Sequence, residues 1–225
     1  MSRKSYLWTL GLIYAAWWVA MAIGPLDRSD WIMENVLVVF AAALLVFTYK
    51  SFPLSRISYT CIFVFMMLHA LGAHYTYAKV PYQEWIPALA GGRNHFDRLV
   101  HFCYGLLLAY PIREMFLRIG NVRGFWGYFL PLDLTMSTSM LYELIEWGAA
   151  ETVGKDLGAA YLGTQGDIWD AHKDMAMASL GALIAMIITA LINRRMQRDF
   201  AGEWAESIRV KRRKPLGEDA IVKSI

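Results

Sequence analysis

The chain has 225 residues, of which 57% are hydrophobic and only 18% charged, and its mean hydropathy is +0.34; an ordinary soluble domain, a disordered chain, a collagen and a coiled coil are excluded. Nine Trp, twelve Tyr and eleven Phe suit a protein with two membrane-water interfaces, where amphipathic rings settle at headgroup level. The net charge of +3 is small, and much of the excess sits in one run, Lys211-Arg212-Arg213-Lys214, so it gives no case for nucleic acid as a partner.

The first apolar run, 6–24, follows Arg3 and Lys4 and carries Ala20-Met21-Ala22, a mimic of a signal-peptidase site. It is as long as a bilayer is thick, Trp17 and Trp18 are bulky beside the cleavage point, and more apolar segments follow, so it reads as an uncleaved anchor. Five further stretches have spanning length: 31–49, 57–77, 99–117, 125–148 and 171–192. Gly24-Pro25, Pro53, and Gly120 with Gly124 punctuate them. The fourth and fifth contain Pro111 and Pro131, which remove backbone hydrogen bonds, and Asp133, Glu143 and Glu146 make the fifth unusually polar. Cys61 and Cys103 lie inside apolar stretches and read as packing residues. The prediction is an all-α polytopic membrane helix bundle with six transmembrane helices over 1–198, followed by a basic tail, 199–225, read as a solvated stop-transfer end against anionic lipid.

Cytoplasmic loops retain Lys and Arg. Sixteen of the 22 basic residues fall on the side of the termini; Arg28, Lys79, Arg93, Arg98, Lys155 and Lys173 fall on the other. Both termini are therefore expected in the cytoplasm, with the 3-4 and 5-6 loops outside.

On that topology all five histidines, His69, His74, His95, His101 and His172, lie at the outer side, and carboxylates gather with them. Residues three, four and seven apart share a helix face. Asp97 and His101 are four apart, Glu143 and Glu146 three, and Asp167, Asp170 and Asp174 form a stripe. Ionisable groups within a span are costly and face a bundle interior or wet cavity, so these helices are expected to present one His/carboxylate cluster. Asp97, His101, Glu143, Asp170 and Asp174 are candidate catalytic residues or, alternatively, metal ligands. Carboxylates suit Mg or Mn and imidazole draws toward Zn. Arg98, Lys173, His74 and Gln165 are candidate substrate contacts, the cations through a phosphate. A structural pairing of Glu143 with Arg98, His101 or Lys173 explains the same residues without catalysis. Asp133 has no evident partner, and His69 and His74 read as polar contacts between helices. Neither HExxH nor GxSxG nor a Walker loop occurs; Gly163-Thr164-Gln165-Gly166 reads as a loop turn.

Four stretches carry a resemblance: His-Tyr-Thr-Tyr from His74, Asn-His-Phe-Asp-Arg-Leu-Val-His-Phe from Asn94, Tyr-Glu-Leu-Ile-Glu-Trp from Tyr142, and Tyr-Leu-Gly-Thr-Gln-Gly-Asp-Ile-Trp-Asp-Ala-His-Lys-Asp-Met from Tyr161. Together they resemble the YjdF-like family of bacterial inner-membrane proteins, which implies a multi-pass inner-membrane location and fold rather than a chemistry. A more distant similarity is to the VanZ-like membrane proteins of the cell envelope, through Asp97-Arg98, His101-Phe102, Glu143, and Asp170 with Asp174. Here Glu146 stands where that pattern usually has Gln, and Asp174 where it has Asn, so this chain carries more acid.

The composite expectation is a membrane protein whose outward pocket binds or acts on a lipid head group or other envelope amphiphile, with a divalent metal (Zn, Mg or Mn) if it is an enzyme. A proton- or ion-coupled small-molecule transporter and a non-catalytic envelope scaffold remain open beside it. Oligomeric state is not legible.

Overall fold

The computed structural model describes residues 1–86, 92–153, 164–196 and 199–211. Lys155 and Gly163, together with Arg212, Arg213 and Lys214 of the basic run, lie outside the described residues. Among the described residues all regular structure is helical: α1 Arg3–Ala22, α2 Arg28–Thr48, α3 Arg56–His74, the single turn α4 Tyr82–Trp85, α5 Phe96–Ile119, α6 Trp126–Val153, α7 Asp170–Met196 and α8 Phe200–Ser207. Four helices, α1, α2, α3 and α7, are long and apolar enough to cross a membrane. The other two long helices, α5 and α6, carry more charge, Asp97, Arg98, Arg113, Glu114 and Arg118 in one and Asp133, Glu143, Glu146 and Glu151 in the other.

The boundaries follow capping chemistry. Ser2, Asp27 and Ser55 each accept a hydrogen bond from a backbone N–H in the first turn of α1, α2 and α3. The third helix ends at His74, three residues short of the 57–77 run, because Thr76 and Tyr77 take positive φ (52° and 48°) and the Tyr77 ring folds back over Gly72. A Cβ on Gly72 would stand 2.4 Å from that ring, so the reversal requires glycine. Helices α5 and α6 run through Pro111 and Pro131; beside the second, the Thr135 hydroxyl donates to the Pro131 carbonyl at 2.7 Å.

Successive long helices alternate in direction. At the end holding the N-terminus and α8, Arg3 donates to the Leu54 carbonyl and the Glu114 carboxylate accepts from Ser55 N–H at 2.9 Å and from the Ser58 hydroxyl at 2.5 Å. Peripheral α1 is tied inward by Trp17, which donates to the Met67 carbonyl at 3.0 Å, and Trp18, which donates to Asn35 Oδ1 at 2.6 Å.

The centre of the bundle is the crossing of α5 and α7. A Cβ on Gly105 would stand 1.9 Å from the Ala178 carbonyl oxygen, and one on Gly181 2.1 Å from that of Phe102. The backbones touch, and buried Ala109, Ala182 and Ala185 continue the small-residue seam. Between helices in a membrane, such close packing replaces the hydrophobic drive available in water. Gly105 follows His101 by one turn and Ala178 follows Asp174 by one turn, so the seam fixes which polar residues face each other beyond it.

The stretch read as a solvated tail contains α8, which packs Phe200 and Trp204 against Tyr128, with the Trp204 and Tyr128 rings stacked at 5.4 Å. It also caps α6 from outside: Gly124 N–H donates to Glu203 Oε1 at 3.3 Å and Phe125 N–H to Ser207 Oγ at 2.9 Å. Cys61 and Cys103 are free thiols.

Candidate functional site

The end of the bundle opposite the N-terminus and α8 collects the starts of α2, α5 and α7 and the ends of α3 and α6. Asp97 and His101 project from the first turns of α5, one turn apart, and Asp170 and Asp174 repeat that interval on α7. The seam beneath brings the two stripes face to face. Carboxylate oxygens of Asp97, Asp170 and Asp174 lie within 4.8 Å of one another, with Asp170 and Asp174 buried. His101 Nε2 stands 3.6 Å from Asp97 Oδ1 and 3.5 Å from Glu143 Oε1, which α6 contributes. All five candidate catalytic or metal-binding residues thus fall in one side-chain cluster, although among the described residues only the three aspartates are near enough to share one ion. An all-oxygen set of this kind favours a hard cation such as Mg or Mn over Zn.

Two guanidinium groups enter the same space. Arg98 donates to Asp167 Oδ2 at 2.6 Å and Asp170 Oδ1 at 3.1 Å, and its Nε is 4.0 Å from Asp174 Oδ1. Arg93 binds Asp170 and the Thr164 carbonyl. Lys173 reaches Asp167 Oδ2 at 2.6 Å rather than the deeper acids. The Asp167 carboxyl is held well below the usual carboxylate range, first by the Lys173 ammonium and then by the Trp169 N–H. Buried polar groups normally find partners, yet four atoms here make no hydrogen bond: Glu143 Oε1, Asp174 Oδ1, Arg93 Nε and Arg98 Nε.

The remaining candidates hold the frame. Gln165 clasps the Asn94 backbone, its Oε1 accepting from Asn94 N–H and its Nε2 donating to the Asn94 carbonyl, both at 3.0 Å. His74 is not brought to the cluster; its Nδ1 meets the Met21 carbonyl at 2.9 Å and ties α1 to α3. Asp133 is exposed on α6. His69 is buried, with Nε2 3.2 Å from the Glu34 carbonyl and Nδ1 2.6 Å from the Tyr77 hydroxyl. A carbonyl only accepts, so Nε2 carries a proton and donates, and with Nδ1 engaged by the Tyr77 hydroxyl neither ring nitrogen is open to a metal.

Sequence reasoning passed over Arg93, Asp30 and Glu34. Glu34 is buried and accepts from the Tyr142 hydroxyl at 3.0 Å, while the Tyr142 ring stands edge-on to His101, so α2 adds acid to the same end of the bundle. Asp30 and Glu34 are four apart at the head of an apolar run, the interval that singles out Asp97 and His101. Arg93 carries no such periodic signal, because it sits in a loop.

The model of the family described as "Predicted membrane protein (DUF2238)" matches residues 6–195. The chain belongs to this family. It is 40% identical over 197 residues to "Inner membrane protein YjdF" of Escherichia coli (strain K12), covering 85% of this chain and 90% of that protein. The YjdF-like resemblance carried by the quoted motifs therefore holds across nearly the whole DUF2238 domain, and the protein is a multi-pass protein of the bacterial inner membrane. No solved structure matches it.

Proposed function

We propose that this DUF2238 protein crosses the inner membrane six times with both termini in the cytoplasm, and that its pocket at the outer leaflet binds a divalent cation together with the phosphate of a lipid head group or other envelope amphiphile. The observation that carries this reading is the double set of unmet partners. Glu143 Oε1 and Asp174 Oδ1 are buried acceptors without a hydrogen bond, and Arg93 Nε and Arg98 Nε are buried donors without one. A metal-phosphate pair supplies what each set lacks, since carboxylates hold the cation and guanidinium groups take phosphate oxygens. Arg93, Arg98 and Lys173 pair with Asp167, Asp170 and Asp174, whereas Asp97 and Glu143 approach only His101 and have no lysine or arginine ion pair among the described residues. Asp97, Asp170 and Asp174 would hold the ion, His101 and Glu143 would flank it as acid or base, and Arg98 with Arg93 would hold the phosphate.

The test is metal analysis of detergent-purified protein, prepared without chelator, beside an Asp170→Ala, Asp174→Ala double variant whose helicity and monodispersity match wild type. Stoichiometric Mg, Mn or Zn in wild type and its loss in the variant support the reading. Absence of metal in wild type, even after incubation with each ion, overturns it.

An ion- or proton-coupled carrier is the second reading, favoured by one observation: Glu34, 5% exposed and hydrogen-bonded to Tyr142, places a further acid in the interior. Reconstituted vesicles separate the two, because a carrier responds to an imposed proton or sodium gradient and a head-group site does not.

A further inference from the structure

At the opposite end of the molecule α7 and α8 border a shallow, open groove of about 580 Å³. Its α7 wall carries Ile187 and Leu191, its other wall Phe200 and Trp204 of α8 with Ile208 just beyond, and Arg194 is the charged residue among its lining. Ile187, Leu191 and Ile208 are about half exposed, so the groove opens outward rather than into the core.

Three features together define an occupant. First, α8 is amphipathic and short, and it is held across the starting turn of α6 by Glu203, Ser207 and stacked Trp204, which makes the groove a built feature. Second, Arg194 makes no ion pair among the described residues, nor does its exposed neighbour Arg195, although Arg209 nearby is paired with Glu206 at 3.1 Å. Third, Arg194 follows the apolar run of α7, so it stands where a spanning helix meets the head-group layer. An apolar trough capped by an unpaired guanidinium complements a molecule with an acyl chain and an anionic head.

We infer that the α7–α8 groove is a binding site for one anionic phospholipid of the leaflet on the side of the termini, its chain lying between Leu191 and Trp204 and its phosphate on Arg194 and Arg195. Lys211, four residues beyond α8, is also exposed. The site is independent of the pocket at the far end of the bundle.

Native mass spectrometry of the full-length protein, delipidated in detergent with EDTA present, tests it. The protein is titrated with phosphatidylglycerol and with phosphatidylcholine of the same chains. Wild type is expected to bind one phosphatidylglycerol at least about fivefold more tightly, the effect of one well-placed basic residue at a membrane surface. Arg194→Gln, at an exposed position, is expected to remove most of that preference. Ala205→Trp, which fills the groove, is expected to weaken both lipids while leaving the thermal midpoint of the bundle unchanged. Equal affinity for the two lipids in wild type overturns the proposal, as does a preference that survives Arg194→Gln. So does a dimer that Ala205→Trp dissolves without any lipid effect, since a second copy would then be the occupant. If Ala205→Trp does not fold, the Arg194→Gln comparison alone decides.

Discussion

Glu143 has one oxygen 3.5 Å from His101 and no hydrogen bond to it, so the two are neighbours without being a formed pair. A buried pair that held the bundle together would cost about 3–5 kcal/mol when broken from one side. Glu143→Gln keeps the shape and removes the charge. On the head-group reading its thermal midpoint stays near wild type while affinity for the divalent ion falls about tenfold, as for groups that orient metal ligands; a collapse in stability with unchanged ion affinity would return Glu143 to a structural role. Asp167 behaves differently. Its depressed carboxyl pKa means that its contact with Lys173 and Arg98 is fully present above the ordinary carboxylate range and is lost as the pH falls through the lower folded-state value. Hydrogen exchange of residues 164–169 should be flat from about pH 5 to 8, after correction for intrinsic rates, and the loop should loosen below about pH 4; Asp167→Asn should lack that acid-linked change.

Among elements, the α5–α7 crossing is the least tolerant of change. Any side chain at Gly105 meets the Ala178 carbonyl, which is backbone and cannot turn aside. Gly105→Leu should therefore cost about 3 kcal/mol, the upper part of the usual overpacking range, read as a lowered denaturation midpoint in detergent, and it should weaken ion binding as well because the crossing aligns Asp97 and His101 with Asp170 and Asp174. Gly11, on peripheral α1, has nothing within 4 Å of where a Cβ would stand, so it should accept alanine without loss and serves as the control. The element that sequence periodicity undervalued is α8. Eight residues with Phe200 and Trp204 one turn apart are too short to stand out from a charged tail, and α8 is stable through what it caps and packs on, contacts distant in the chain.

At the scale of the whole molecule, the long helices were legible because a membrane enforces length and hydrophobicity together, so runs such as 31–49 and 171–192 announce themselves. The acid stripes were legible for a similar reason: charge inside an apolar run is expensive enough to be conspicuous. Loop residues obey neither constraint, which is why Arg93 and the Gln165–Asn94 clasp came only from the structure. The side on which the proposed pocket opens rests on the distribution of Lys and Arg, and it can be read directly. With an impermeant maleimide on intact cells, His172→Cys should label at once, whereas Ser51→Cys should label only after the membrane is permeabilised; the reverse pattern would put the pocket on the cytoplasmic side. The seam of Gly105, Ala178 and Gly181 has a last consequence. Where two backbones touch, neither water nor a dissolved ion passes between them, so the acid cluster above α5 and α7 sits over a floor closed along that line. Cargo entering it would have to leave by the way it came, or the protein would have to prise open its own tightest joint.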